Sequence, residues 1–107
     1  MSYTVSLTRE AELDLERLFE FVLEGELFSP TGDPALAQRT LDTIRAGLEV
    51  LERFPFTCRK AAQGNSPFIR ELLISFGQTG YVALFEIVDD KRVIVGAMRH
   101  QREDDYR

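Results

Sequence analysis

Residues 68–98 read FIRELLISFGQTGYVALFEIVDDKRVIVGAM, and the fold turns on this stretch. Phe68, Arg70, Leu72 and Ile74 alternate with Ile69, Glu71 and Leu73, the period of two that a half-buried strand requires. After Phe76-Gly77-Gln78-Thr79-Gly80 a second apolar run extends from Tyr81 to Val88, and after Asp89-Asp90-Lys91 a third extends from Arg92 to Met98. Three such runs joined by short glycine- or aspartate-bearing turns predict an antiparallel meander.

The period changes upstream. Ala37, Leu41, Ile44, Leu48 and Leu51 recur at four, three, four and three, which predicts an amphipathic helix opened by Asp33 and Pro34 and ended by Pro55. Ala11, Leu15, Leu18 and Val22 mark an earlier helix, with Thr8 as its N-cap and Glu10 and Glu12 at the positive end of its dipole. Glu12, Glu16, Glu20 and Glu24 fall off the apolar stripe and onto the surface. Leu13, Phe21, Leu23 and Phe28 also miss that stripe, so they form either a broadened core face or an apolar patch kept for a partner. Two prolines and a glycine in Ser29-Pro30-Thr31-Gly32-Asp33-Pro34 separate the two helices, which should pack as an antiparallel hairpin.

Tyr3, Val5 and Leu7 alternate with Thr4 and Ser6 as a short N-terminal strand, and Arg59 to Pro67 reads as a loop before the sheet. The expected fold is therefore α+β: an N-terminal strand, an α-helical hairpin, then a three-stranded antiparallel meander. With 107 residues, 44% of them apolar, one domain spanning 1–107 suffices and needs no metal or disulfide staple.

Composition excludes several classes of function. One histidine and one cysteine, without ligand spacing around either, leave no metal site. No nucleophile-elbow, phosphate-loop or dinucleotide-binding motif is present, so neither a metal nor a small-molecule cofactor is expected. No apolar run approaches the length of a membrane span, and the lone Cys58 fits a reducing compartment, so a cytoplasmic protein is expected. The formal net charge of −5 argues against a surface built to coat nucleic acid. That charge is segregated: residues 1–52 hold eleven acids against four arginines, a balance of −7, whereas residues 53–102 hold eight cations against four acids, a balance of +4.

The cations of the second half are the candidate chemistry. Arg70 interrupts an apolar strand and must find a carboxylate such as Glu86, reach an edge, or bind a substrate. Arg99, His100 and Arg102 stand at the end of the last strand, where they are expected to converge with Arg59, Lys60 and Arg70. Such a cluster would hold a phosphodiester, with His100 as general acid or base and arginine against the developing charge. Equally, His100 is an ordinary hydrogen-bonded residue at a strand end, and Cys58 an ordinary thiol.

Taken in order, Tyr3-Thr4-Val5-Ser6-Leu7-Thr8-Arg9-Glu10-Ala11 with Asp14-Leu15, Leu48 and Leu51 leading into Phe54-Pro55, Phe68-Ile69-Arg70-Glu71-Leu72, Gly80-Tyr81-Val82-Ala83-Leu84-Phe85, and Val93 to Glu103 resemble the ParE/RelE toxin superfamily over nearly the whole chain. The resemblance implies a toxin of a type II toxin–antitoxin system, neutralised by a cognate antitoxin whose disordered segment folds along the toxin surface, with Phe21 and Phe28 as candidate antitoxin contacts. RelE-like members are ribosome-dependent mRNA endonucleases, and by position that activity would use Arg59, Lys60, Arg70, Arg99 or His100, and Tyr106. ParE-like members share the fold, inhibit DNA gyrase and lack the ribonuclease set. RelE-like nucleases are strongly basic whereas this chain is acidic, which favours the ParE-like reading, a protein-binding poison without catalytic residues. A non-toxic module that binds only an antitoxin is the third possibility.

Overall fold

The computed structural model describes residues 2–61 and 66–103. Among the described residues, five strands and two helices follow in chain order: β1 (Thr4–Leu7), α1 (Arg9–Phe28), α2 (Ala35–Leu48), β2 (Arg59–Lys60), β3 (Ile69–Phe76), β4 (Thr79–Ile87) and β5 (Arg92–His100). The strands form one sheet in the order β1-β5-β4-β3-β2. The meander is present as expected, with β3, β4 and β5 antiparallel. Gly77 adopts φ +60° at the first position of the two-residue β3–β4 turn, where a residue with a Cβ would be strained.

The sheet is nevertheless mixed. β1 pairs parallel with β5, Thr4 opposite Arg92 and Leu7 opposite Val95, so the first described strand lies beside the last described one. Arg59 and Lys60, expected in a loop, form the two-residue strand β2 against Glu71 and Arg70 on the opposite margin. α2 also ends earlier than expected: it stops at Leu48 and continues as tighter 3₁₀ turns over Glu49–Glu52 and Pro55–Thr57.

One face of the sheet carries the helical hairpin. Ala11, Leu15 and Leu18 of α1 and Ala37, Ile44 and Leu48 of α2 are buried, as are Tyr81, Ala83, Phe85 and Ile87 of β4 and Val93, Val95 and Met98 of β5. Each fully buried large side chain of this set stabilises the fold by about 2 kcal/mol through lost water contact. The predicted stripes hold, with Val22 at the end of the first and Leu41 within the second half-buried. Leu13, Phe21 and Phe28, which missed the stripe, are exposed, Phe21 at 75% and Phe28 at 85%.

α1 is fastened to β5 at its start. The Thr8 hydroxyl donates to the Gly96 carbonyl (3.1 Å) and accepts from the Ala11 N–H (3.1 Å), capping the helix and tying it to the sheet together. One turn later the buried Asp14 carboxylate accepts the Met98 N–H at 2.9 Å. β1 has ended by that point, so the acid takes the place of a missing strand. α2 begins with the Asp33 carboxylate accepting the Ala35 N–H at 3.0 Å. It lies so close to β3 that a Cβ at Gly47 would meet the Ile74 side chain at 2.9 Å.

Candidate functional site

The register decides where five of the candidate cations, Arg59, Lys60, Arg70, Arg99 and His100, point. Side chains alternate across a strand, and Arg70, Leu72 and Ile74 share the helix-side face with their partners Phe85, Ala83 and Tyr81. Along β5 the same face holds Val93 and Val95, and strict alternation would continue with Ala97 and Arg99. The pairing shifts between Leu84 and Phe85, which inserts Gly96 as an extra residue in β5. Beyond this bulge Met98 and His100 occupy the helix-side face, opposite Ala83 and Tyr81, and Arg99 turns to the open face, opposite Val82.

The expected convergence is thereby divided. Lys60, Arg70 and His100 belong to the helix side, and Arg59 and Arg99 to the open side. Within the first group Arg70 and His100 are two strands apart and four residues out of step, a separation of roughly 16 Å between their backbones at ordinary strand spacings. Tyr106 lies outside the described residues.

Each polar group has its own local role. Arg70 finds no carboxylate at Glu86. Its Nη1 donates to the carbonyls of Cys58 (2.7 Å) and Phe56 (3.2 Å) and its Nε to that of Pro67 (2.8 Å), while the guanidinium lies 5.2 Å from the Phe56 ring centre. Phe56 in turn meets Phe68 edge-on at 6.2 Å. Arg59 pairs with Glu71 at 3.2 Å across β2 and β3. Arg99 folds its Nη1 onto the carbonyls of His100, Gln101 and Glu103. Burial pushes the Cys58 thiol above its ordinary value, with the Arg70 charge opposing, so this cysteine is a thiol at neutral pH.

His100 is enclosed. Its Nε2 is bonded to the Thr79 hydroxyl and its Nδ1 accepts the Arg102 N–H at 3.1 Å. An accepting Nδ1 places the proton of the neutral ring on Nε2, where it is donated to Thr79. The ring packs edge-on against Tyr81 at 5.4 Å. Burial lowers its pKa, the Arg102 charge lowers it further, and Glu103 opposes both. The Glu103 carboxylate accepts the His100 N–H (2.8 Å) and pairs with Arg17 of α1 (3.3 Å), so the strand end is closed into a turn against the helix.

Two surfaces remain at the sheet margins. At the β2 margin Phe54, Phe56 and Phe68 are exposed beside Arg59 and Lys60. At the β1 margin a groove of about 830 Å³ runs between α1 and α2, with Leu15, Phe19, Leu41 and Leu48 among its apolar walls and β1 along one side. Its rim is acidic: Glu12, Glu16 and Glu20 from α1, Glu49 and Glu52 beyond α2. Sequence reasoning placed the α1 glutamates on the surface without joining them to a cavity. The usable signal was their four-residue spacing, which keeps them in one row on the helix. Among the described residues no group of acids, histidine and cysteine is arranged to hold a metal, and no helix is long and apolar enough to cross a membrane.

Residues 5–105 match the family model for the ParE toxin of the type II toxin–antitoxin system parDE. The chain is 30% identical over 100 residues to Toxin RelE3 of Caulobacter vibrioides, covering 94% of this chain and 96% of that protein. Its fold is similar to a chain in the structure of the chromosomal ParDE TA system from P. aeruginosa, with a TM-score of 0.67 at 16% identity, over 92% of this chain and 95% of the other.

Proposed function

The chain belongs to the ParE toxin family of type II toxin–antitoxin systems, and on that premise we propose that it is a cytoplasmic toxin that inhibits DNA gyrase by binding and is neutralised by a cognate antitoxin. The engagement of His100 carries the choice of binding over cutting. Metal-free cleavage of RNA needs a group that takes up and returns a proton, and both nitrogens of the chain's single histidine are spent within the protein. The division of the cations supports the same reading, since Arg70, Arg99 and His100 sit on two faces and are turned to carbonyls or to a neighbouring hydroxyl.

The test is purified protein with purified gyrase. Loss of supercoiling, or gyrase-dependent cleavage of DNA, is the expected result, with induction of the DNA damage response when the chain is expressed alone. Full supercoiling activity at molar excess of the chain would refute the gyrase reading.

The naming of one relative as a RelE toxin favours a second reading, a ribosome-dependent mRNA endonuclease. In that case expression arrests translation and leaves mRNA cut at defined codon positions, and Arg59→Ala with Lys60→Ala reduces the cutting while the fold is kept. Intact mRNA removes this reading.

A further inference from the structure

We propose that the β2 margin is the face that engages the toxin's protein target, and that it seats a segment in which an apolar side chain is flanked by carboxylates, the apolar group against Phe56 and Phe68 and the acid on Lys60. This rests on the reading of the chain as a toxin that acts by binding gyrase, and it specifies which face binds and what chemistry that face recognises.

The helical layer stops short of this margin. On the helix-side face of β3, Ile74 is buried beneath α2 at Gly47 and Leu72 is half-buried, whereas Phe68, on the same face by alternation, is 48% exposed. Phe56 meets that ring from the turn before β2 and is also 48% exposed. Neither ring belongs to the hydrophobic core. One guanidinium holds the two together: Arg70 donates to the carbonyls of Phe56 and Cys58 on one segment and of Pro67 on the other, so the edge-on pair is set before anything binds. Lys60 stands directly opposite Arg70 across β2 and β3, and among the described residues neither cation is ion-paired. Like charges set opposite one another weaken a sheet, so the fold gains nothing from a lysine here.

Charge and ring geometry select the occupant. Arg59 turns to the open face and pairs with Glu71, and Arg70 is turned to carbonyls, so at this margin Lys60 is the cation left to an incoming anion. Single-stranded nucleic acid is disfavoured. Its bases stack on open ring faces, whereas Phe56 and Phe68 meet at 75° and the Arg70 guanidinium already lies over Phe56. A polyanion would also approach a chain of net charge −5. Two rings set edge to face leave a corner that takes one aliphatic or aromatic side chain. A short acidic segment of a protein meets both demands: its apolar side chain fills the corner and its carboxylate pairs with Lys60.

The test uses the intact chain with purified gyrase. Lys60→Glu reverses the charge, Phe68→Ser empties the corner, Lys60→Arg keeps the charge, and Arg9→Glu makes the same reversal at the exposed start of α1, away from this margin. Titration calorimetry and the supercoiling assay should show wild-type behaviour for Lys60→Arg and Arg9→Glu. Lys60→Glu and Phe68→Ser should each lose on the order of tenfold or more in affinity and in inhibition. Added salt should weaken the wild type more steeply than Lys60→Glu, whose ion pair is gone. Because Lys60→Glu sets a carboxylate opposite Arg70, its thermal midpoint should hold or rise, which separates lost binding from lost folding. Unchanged gyrase binding by Lys60→Glu and Phe68→Ser overturns the proposal, as does an equal loss in Arg9→Glu. So does binding of oligo-thymidine or oligo-uridine that Lys60→Glu abolishes, which makes nucleic acid the occupant, or self-association that Lys60→Glu abolishes, which makes it a second copy. A wild type that leaves gyrase untouched defeats the gyrase reading instead. Growth arrest on expression then decides the face: its relief by both variants keeps the β2 margin for another protein target, and arrest at full strength by the variants, or none by the wild type, removes it.

Discussion

The two margins of this sheet are opposites built from one chain. At the β1 margin, glutamates ring an apolar groove beside the outermost strand. At the β2 margin, Arg59 and Lys60 flank exposed phenylalanines, and Arg70 stitches the approach to the strand through three carbonyls. The net charge of −5 describes neither. Chain order becomes spatial order because the acidic first half supplies β1 and both helices, while residues after Glu52 cross to the far edge before the meander begins. A protein acidic in sum thus offers an anionic surface and a cationic one, separated by the width of the sheet.

The margins also differ in how they are held, and mutations should separate them. Asp14→Ala should have the largest effect: it leaves the buried Met98 N–H without a partner and loosens α1 from β5, at a cost of about 2 kcal/mol in chemical denaturation. A smaller loss, about 1 kcal/mol, is expected for Arg70→Ala, whose hydrogen bonds to carbonyls and contact with Phe56 are partly exposed. Arg70→Lys should recover little of it, because an ammonium lacks the planar fork that reaches several carbonyls at once. If the two alanine variants cost the same, the contrast in anchoring fails.

A pH scan examines the His100 turn that joins β5 to Arg17. The folded pKa of His100 lies below the ordinary value, so the folded protein binds fewer protons than the unfolded chain. The contribution is complete above about pH 6.5, the ordinary histidine value, and is lost as pH falls through that value towards the depressed one. Thermal melts should therefore drop between pH 7 and 5, and His100→Gln should flatten this segment of the curve. The smallest effects belong to solvent-facing residues. Arg59→Ala removes an exposed ion pair and should change stability by no more than about 0.5 kcal/mol. Phe28→Ser, at a position 85% exposed, should be equally silent in denaturation.

Much of the architecture was legible because its signals are local. Period-two runs with Gly77 and Asp89 at the turns mark β3 to β5, and the four-three repeat of Ala37, Leu41, Ile44 and Leu48 marks α2. Two features were not. The parallel pairing of β1 with β5 joins residues nearly ninety positions apart, and nothing in Tyr3 to Leu7 names the partner strand. The two-residue β2 is too short to show any period. The faces of the candidate cations on β5 turn on a single residue: without the extra Gly96, His100 and Arg99 would exchange faces. A glycine inside an apolar strand is the available hint of a bulge, yet the sequence does not say on which side of it the alternation resumes. The charge segregation was visible in the residue counts. That the acids would meet around a cleft required the hairpin to be folded over β1.

The β1–β5 pairing also bears on how the protein comes off the ribosome. Thr4 to Thr8 are synthesised long before β5, but the carbonyls that receive the N–H groups of Thr4 and Thr8 belong to Lys91 and Val95. β1 must wait, unpaired, until β5 has emerged, and Thr8 and Asp14 wait with it for Gly96 and Met98. Closure of the sheet therefore depends on β5, and a chain that lacks this strand lacks the finished sheet.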